Sequence, residues 1–283
     1  MKLLRTLNEI PASYFEEAKE QGILKRITYT KGTDTKYVTV YEPYGYDPAE
    51  EYDYVYMIHG GGGDPDSYYT GDGKPTGLKN ILDNMIQNHD MDAKIIVTPT
   101  YYPENDKPIK TLPFPEQIPI MRDLTENFWK ELIHEVIDAV EGDRKVSREH
   151  RAITGFSMGS VTTWSVLAHA LAYFSTFIPM SGDSWAIDVK GGSDHSEETA
   201  KYLRDAVAEQ NIPEYFIYAV TGDKDIACAN LAPMIKAMKD LNDPIFAFTE
   251  NDEEGNFAFF CKPDGVHAYK DITQYLYNVL PLI

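Results

Sequence analysis

Cysteine is nearly absent from this 283-residue chain, which has only Cys228 and Cys261. Two cysteines cannot build a disulfide scaffold; they leave room for one bridge or for two buried thiols. Long apolar runs are missing too: no stretch of eighteen apolar residues occurs, so no transmembrane helix is expected. The first nine residues, Met1 to Glu9, lack the apolar core of a signal peptide. Either the protein is cytoplasmic, or the chain is the mature or excised domain of a secreted one. Positive charge is scarce, with 26 Lys and Arg against 45 Asp and Glu and a net charge of -19. Such a field repels phosphate backbones and anionic lipid, which argues against nucleic-acid and membrane-surface partners. Metal-ligand spacing is lacking as well. Asp64-Pro65-Asp66 has no further calcium-loop positions and reads as a turn, so neither metal nor cofactor is expected. Oligomeric state is left open.

What is present is a patterned alternation of strands and helices. With 43% hydrophobic residues the chain can bury one large core. Strands are expected at 24–30 and 37–41, then at 54–58, 94–98, 174–180, 215–221, 245–249 and 257–260, with the turn-forming residues 251–255 between the last two. Helical spacing falls at 78–86, 128–140, 160–170, 197–210, 231–241 and 268–279, while 101–119 and 182–196 read as loops. From residue 54 onward this alternation predicts an α/β fold, a mostly parallel sheet with helices on both faces, in one domain spanning 1–283.

The densest signal is Gly155-Phe156-Ser157-Met158-Gly159, where an apolar strand runs into G-x-S-x-G and then a helical segment. This is the pattern of the α/β-hydrolase nucleophile elbow, in which two glycines let strand and helix pass close to a strained serine. Ester chemistry needs more than a serine. An imidazole must take the hydroxyl proton, a carboxylate must orient that imidazole, and two N–H donors must hold the oxyanion. In this fold the acid and then the histidine follow the nucleophile along the chain. Of seven histidines only His267 lies beyond the acid region, in the loop before the last helix. Three carboxylates compete for the acid: Asp225 is favoured by its spacing after Gly222, ahead of Asp223 and Asp183. The oxyanion donors are expected at Met158 and in His59-Gly60-Gly61-Gly62-Gly63, with Gly61 favoured and Gly62 next. The glycine run has no lysine after it, which removes a phosphate-cradle reading. Tyr101, Tyr102, Trp185 and Asp183 follow strand ends, where open α/β sheets bind ligands, and are candidate substrate contacts.

With these elements placed, the chain resembles the feruloyl esterases of carbohydrate esterase family one, the esterase D-like branch of the α/β-hydrolases. The likeness runs from Val40-Tyr41-Glu42-Pro43-Tyr44-Gly45-Tyr46 through Tyr56-Met57-Ile58-His59-Gly60-Gly61 and the serine motif. It continues to Pro179-Met180-Ser181-Gly182-Asp183-Ser184-Trp185 and ends at Gly265-Val266-His267. It implies a serine carboxylesterase with Ser157, Asp225 and His267 as its triad and Gly61 and Met158 at its oxyanion hole. The implied substrate is a small phenolic or acyl ester on a plant polysaccharide, hydroxycinnamoyl before acetyl. Val266 and Ala268 depart from the family's usual surroundings of the histidine, so acyl preference is not carried over.

Overall fold

The computed structural model describes residues 6–71, 73–103, 111–144, 146–249 and 255–283. A hairpin of β1 (Ile23–Lys31) and β2 (Asp34–Glu42) opens the chain, turning at Gly32, whose φ of 60° suits a residue without Cβ. Six further strands follow: β3 (Asp53–Ile58), β4 (Lys94–Thr98), β5 (Arg151–Phe156), β6 (Thr176–Met180), β7 (Phe216–Gly222) and β8 (Phe257–Lys262). They form one eight-stranded sheet in the order β1-β2-β4-β3-β5-β6-β7-β8. β2 pairs antiparallel with β1 and with β4, and every later pairing is parallel.

Among the described residues the helices used below are α1 (Ser67–Thr70), α2 (Leu78–Gln87), α3 (Phe114–Glu131), α4 (Ile137–Glu141), α5 (Met158–His169), α6 (Ser196–Gln210), α7 (Cys228–Asp240) and α8 (Tyr269–Val279), with one further helical turn at Gly191–Asp194 inside the segment read as a loop. A π-turn over Leu132–Val136 joins α3 to α4. One face of the sheet packs into a core with α5, α6 and α7, and the other face packs with α2 and α8. Covered on both sides, β4 and β6 are buried at every residue, which is why β6 and β4 from Ile95 onward read as continuous apolar or β-branched runs rather than alternating ones; Lys94 is buried with its ammonium paired to Asp53. α5 is buried all round from Met158 to Ala168, the mark of a helix that runs through the core.

Two expectations fail. Residues 245–249 do not form a strand. Pro244–Phe246 is a 3₁₀ turn capped by the Asp243 side chain, which accepts the Ile245 N–H, and only an isolated bridge of Phe248 to Phe257 follows. The expected loop at 101–119 instead enters α3 at Phe114; Pro113 precedes it and a proline in the first turn costs no hydrogen bond, whereas Pro119 lies inside the helix and removes one bond of its ladder. The turn expected at 251–255 lies outside the described residues except for Gly255.

Candidate active site

The serine motif sits at the end of β5, next to the sheet's centre. Ser157 has φ 56° and ψ -115°, a conformation costing on the order of 1–3 kcal/mol for a residue with a side chain. The surroundings hold it there. Its N–H donates to Met180 O at 3.0 Å, and Ser160 Oγ and Trp164 Nε1 donate to Gly182 O at 2.8 and 2.9 Å. A Cβ on Gly155 would collide with the Gly159 backbone, and one on Gly159 with the Ile58 carbonyl. Both glycines are therefore required by contact, and the turn presses the serine hydroxyl outward.

Ser157 Oγ lies 2.9 Å from His267 Nε2, and His267 Nδ1 lies 2.7 Å from Asp225 Oδ1. With Nδ1–H donating to the carboxylate, Nε2 is left with a lone pair facing the serine hydroxyl. Asp225 follows β7 and is buried, and the same Oδ1 accepts the Ala227 N–H at 2.7 Å. Its other oxygen, Oδ2, is buried with no hydrogen-bond partner. Asp223, two residues earlier, is exposed and makes no contact with the histidine, so the geometry separates the two carboxylates. The Phe156 ring lies 4.6 Å from the imidazole of His267, centroid to centroid, and flanks it as a wall. The sequence reading overlooked this residue although it stands within the motif.

The loop after β3 faces the start of α5. His59 is fully buried, bonded to Gly60 O at 2.7 Å and to Thr100 Oγ1 at 2.9 Å, and it fixes the loop without touching the reacting atoms. The Gly63 N–H donates to Gly60 O, and the Gly62 N–H donates to the Tyr102 hydroxyl at 3.3 Å. Gly62 is thus engaged. Gly61 abuts Met158: a Cβ built on it would lie 3.7 Å from Met158 Sδ and 3.1 Å from Met121 Cε. The amides of Gly61 and Met158 are the candidate donor pair, and Met158 opens α5, whose dipole favours an anion there.

Three of the expected substrate contacts need correction. Tyr101 is buried beneath the glycine loop, its hydroxyl bonded to Met158 O and Thr162 Oγ1, with its ring against Phe128 and His59. Tyr102 is half-buried and spends its hydroxyl on the Gly62 amide. Asp183 turns inward, accepting the Gly192 N–H at 2.9 Å and the Trp185 indole N–H at 3.3 Å, and burial pushes its carboxyl above the usual range. All three act as supports. Trp185 keeps a partly exposed side chain, and its carbonyl accepts from Arg122 of α3 at 3.0 Å, which ties this loop to the helix carrying Met121.

Around the serine lies a cavity of about 400 Å³ lined by Gly60 to Gly63, Thr70, Gly71, Phe156, Ser157, His267 and Tyr269. Among the described residues no group of three or more His, Cys, Asp or Glu side chains is arranged to hold a metal ion. Behind the acid, Cys228 and Cys261 are free thiols beside one another, so the bridge held open from the sequence is not formed. Burial, then the neighbouring Cys228, pushes the Cys261 thiol up to about 11.

A family model described as putative esterase matches residues 31–278. The chain belongs to this esterase family. A curated relative, endo-1,4-beta-xylanase Y of Acetivibrio thermocellus, is 35% identical over 285 residues, covering 96% of this chain but 24% of its own length. The chain thus spans about a quarter of that relative. Among solved structures, a mutant of the feruloyl esterase module from Clostridium thermocellum complexed with sinapinate is 32% identical, with a TM-score of 0.80, covering 99% of this chain and 94% of that one. A ferulic acid esterase of family CE1 from Anaeromyces mucronatus shares the fold at 20% identity and a TM-score of 0.70, covering 99% of this chain and 97% of its own. The esterase family and these neighbours accord with the α/β-hydrolase architecture, eight strands with an antiparallel start.

Proposed function

We propose that this protein is a serine carboxylesterase that hydrolyses hydroxycinnamoyl esters, feruloyl or p-coumaroyl, borne by xylan. The observation that carries the reading is the continuous relay from Ser157 Oγ to His267 Nε2 at 2.9 Å and from His267 Nδ1 to Asp225 at 2.7 Å. The esterase family match and the sinapinate-bound relative supply the substrate class. As His267 Nε2 accepts its proton, Ser157 Oγ attacks the ester carbonyl and the carbonyl oxygen becomes an oxyanion. Gly61 and Met158 amides hold that charge, each contributing about 3–4 kcal/mol in comparable sites. The tetrahedral intermediate collapses, the C–O bond to the sugar breaks, and the imidazolium gives its proton to the departing alkoxide. Water then attacks the acyl-enzyme, losing its proton to His267, and frees the hydroxycinnamate and Ser157. The carboxylate of Asp225 orients the imidazole and stabilises the imidazolium.

The substrate is a neutral phenolic ester on a polysaccharide, which suits a chain of net charge -19 and places the work outside the cell, where that polymer lies. Neither a nucleic acid nor a membrane takes part in the reaction. The test is hydrolysis of methyl ferulate, methyl p-coumarate, acetylated xylan and 4-nitrophenyl acetate by the protein and its Ser157→Ala variant. Turnover of the two hydroxycinnamates, lost in the variant, is expected. Activity confined to the acetyl substrates would refute the hydroxycinnamoyl reading and leave an acetyl esterase.

A further inference from the structure

A second cavity of about 600 Å³ adjoins the one around Ser157, and Gly71 and Tyr269 line both. Its other walls include Phe15, Lys74, Thr76 and Lys270. Its volume falls within the range of about 300–1,000 Å³ typical of ligand pockets. The side on which it lies matters. In acyl transfer the leaving oxygen takes its proton from the histidine, so the alcohol portion of the ester must sit beside His267. The shared wall at Tyr269 is two residues beyond His267, and the first cavity includes His267 itself. The cavity that shares Tyr269 and Gly71 with the one around Ser157 is thus the neighbouring space available to a leaving group protonated by His267.

The lining suits a sugar. Phe15 is 44% exposed, and its ring lies over Gly77, where a Cβ would stand 2.6 Å from ring carbon Cδ1. Gly77 also has φ 78°, so a side chain there is disfavoured twice and the ring keeps its seat. An exposed aromatic face flanked by polar groups, here the ammonium groups of Lys74 and Lys270, offers one apolar plane and several donors, the combination a pyranose or furanose needs. The segment bearing Phe15 is docked rather than loose: Asn80 Nδ2 donates to Phe15 O at 2.8 Å and Asn84 Nδ2 to Glu16 O at 2.9 Å. Phe15 also lies ahead of residue 31, where the esterase-family match begins.

We infer that this second cavity is the subsite for the glycan leaving group, with Phe15 as its stacking platform and Lys270 as its hydrogen-bonding rim. The inference rests on the hydroxycinnamoyl-xylan reading above and adds where the sugar lies. The experiment compares kcat/KM for a feruloylated arabinoxylo-oligosaccharide with that for methyl ferulate, in the parent protein and in Phe15→Ala/Lys270→Ala. The ratio of oligosaccharide to methyl ester is expected to fall about tenfold in the double variant, through KM. An unchanged ratio would overturn the subsite. In parallel, the de-esterified oligosaccharide is titrated into the Ser157→Ala protein and followed by NMR. Shifts at Phe15, Gly71 and Lys270 support the subsite, and shifts confined elsewhere refute it. Failure of the parent to cleave either ester would sink the substrate reading instead, while the titration still decides the sugar site.

Discussion

Replacing Glu126 with glutamine removes a charge that the fold holds at a disadvantage. Glu126 lies on α3, where its Oε1 is buried without a partner. Burial raises its carboxyl from an ordinary 4.5 to about 7, an effect that the nearby Arg122 guanidinium only partly offsets. The sign follows from proton counting. Between pH 4.5 and about 7 the folded state holds a proton that the unfolded chain has released. Stability is therefore full below pH 4.5, falls as pH rises through that window, and stays low above it. Each pH unit corresponds to about 1.36 kcal/mol, which bounds the loss at about 3 kcal/mol. Glu126 also lines a cavity of about 570 Å³ open to water, which relieves part of the desolvation, so about 1–3 kcal/mol is expected. Guanidinium denaturation at pH 5.5, 6.5 and 8 measures this. Glu126→Gln should be more stable than the parent at pH 8 by about that amount, with the gap narrowing steadily toward pH 5.5. Because other carboxylates are common to both proteins, the difference isolates Glu126. A gap independent of pH, or a variant less stable at pH 8, would refute the reasoning.

Other substitutions follow from the site. Asp225→Asn should lower kcat by about 10³–10⁴-fold with the fold retained, because the amide stabilises the wrong imidazole tautomer, whereas Asp223→Asn should stay within about twofold; comparable losses in both would overturn the assignment of the acid. Tyr102→Phe removes the partner of the Gly62 amide, and loosening of the loop by about 1 kcal/mol should cut kcat roughly fivefold with little change in KM, as steady-state kinetics on methyl ferulate will read. Gly159→Ala should fail to fold, since its Cβ would strike the Ile58 carbonyl; a soluble, active Gly159→Ala protein would contradict the elbow geometry. Iodoacetamide should label Cys261 slowly in the folded protein at pH 8 and faster toward pH 11, while denaturation without reductant should release two titratable thiols.

Much of this architecture is legible from local chemistry, and the gaps have local causes. β6 and the Ile95–Thr98 part of β4 announce themselves because a strand covered on both faces reads as a run of apolar or β-branched residues. Ser157 and His267, within hydrogen-bond distance of one another, are those that chain order singles out, and Asp225, which bonds the histidine, is the one of three competing carboxylates that spacing after Gly222 favours. Side-chain direction is what a sequence hides. Tyr101 and Asp183 do follow strand ends, yet a rotation about one bond sends each toward the protein interior to satisfy a carbonyl, or an amide and an indole, while the half-buried Tyr102 turns to the Gly62 amide. Residues 245–249 have strand composition, but Asp243 and Pro244 fix a tight turn at their start. Met121 touches the glycine loop from α3, about sixty residues along the chain and beyond what any local pattern reports.

The pairing of β7 with β8 continues past the strands themselves. Asp223 N–H donates to Lys262 O and Lys224 N–H to Gly265 O, both at 3.0 Å, and Gly222 packs so close to Gly265 that neither has room for a side chain. The acid and the histidine thus ride on a single laced ribbon, and among the described residues that ribbon lies at the rim of the sheet, where β8 pairs with β7 on one side and has only the isolated Phe248 bridge besides. Rims fray before centres do. Catalytic output is accordingly a sentinel for the weakest border of the fold: hydrolysis will stop when β8 peels away, while the strands around Ser157 still stand.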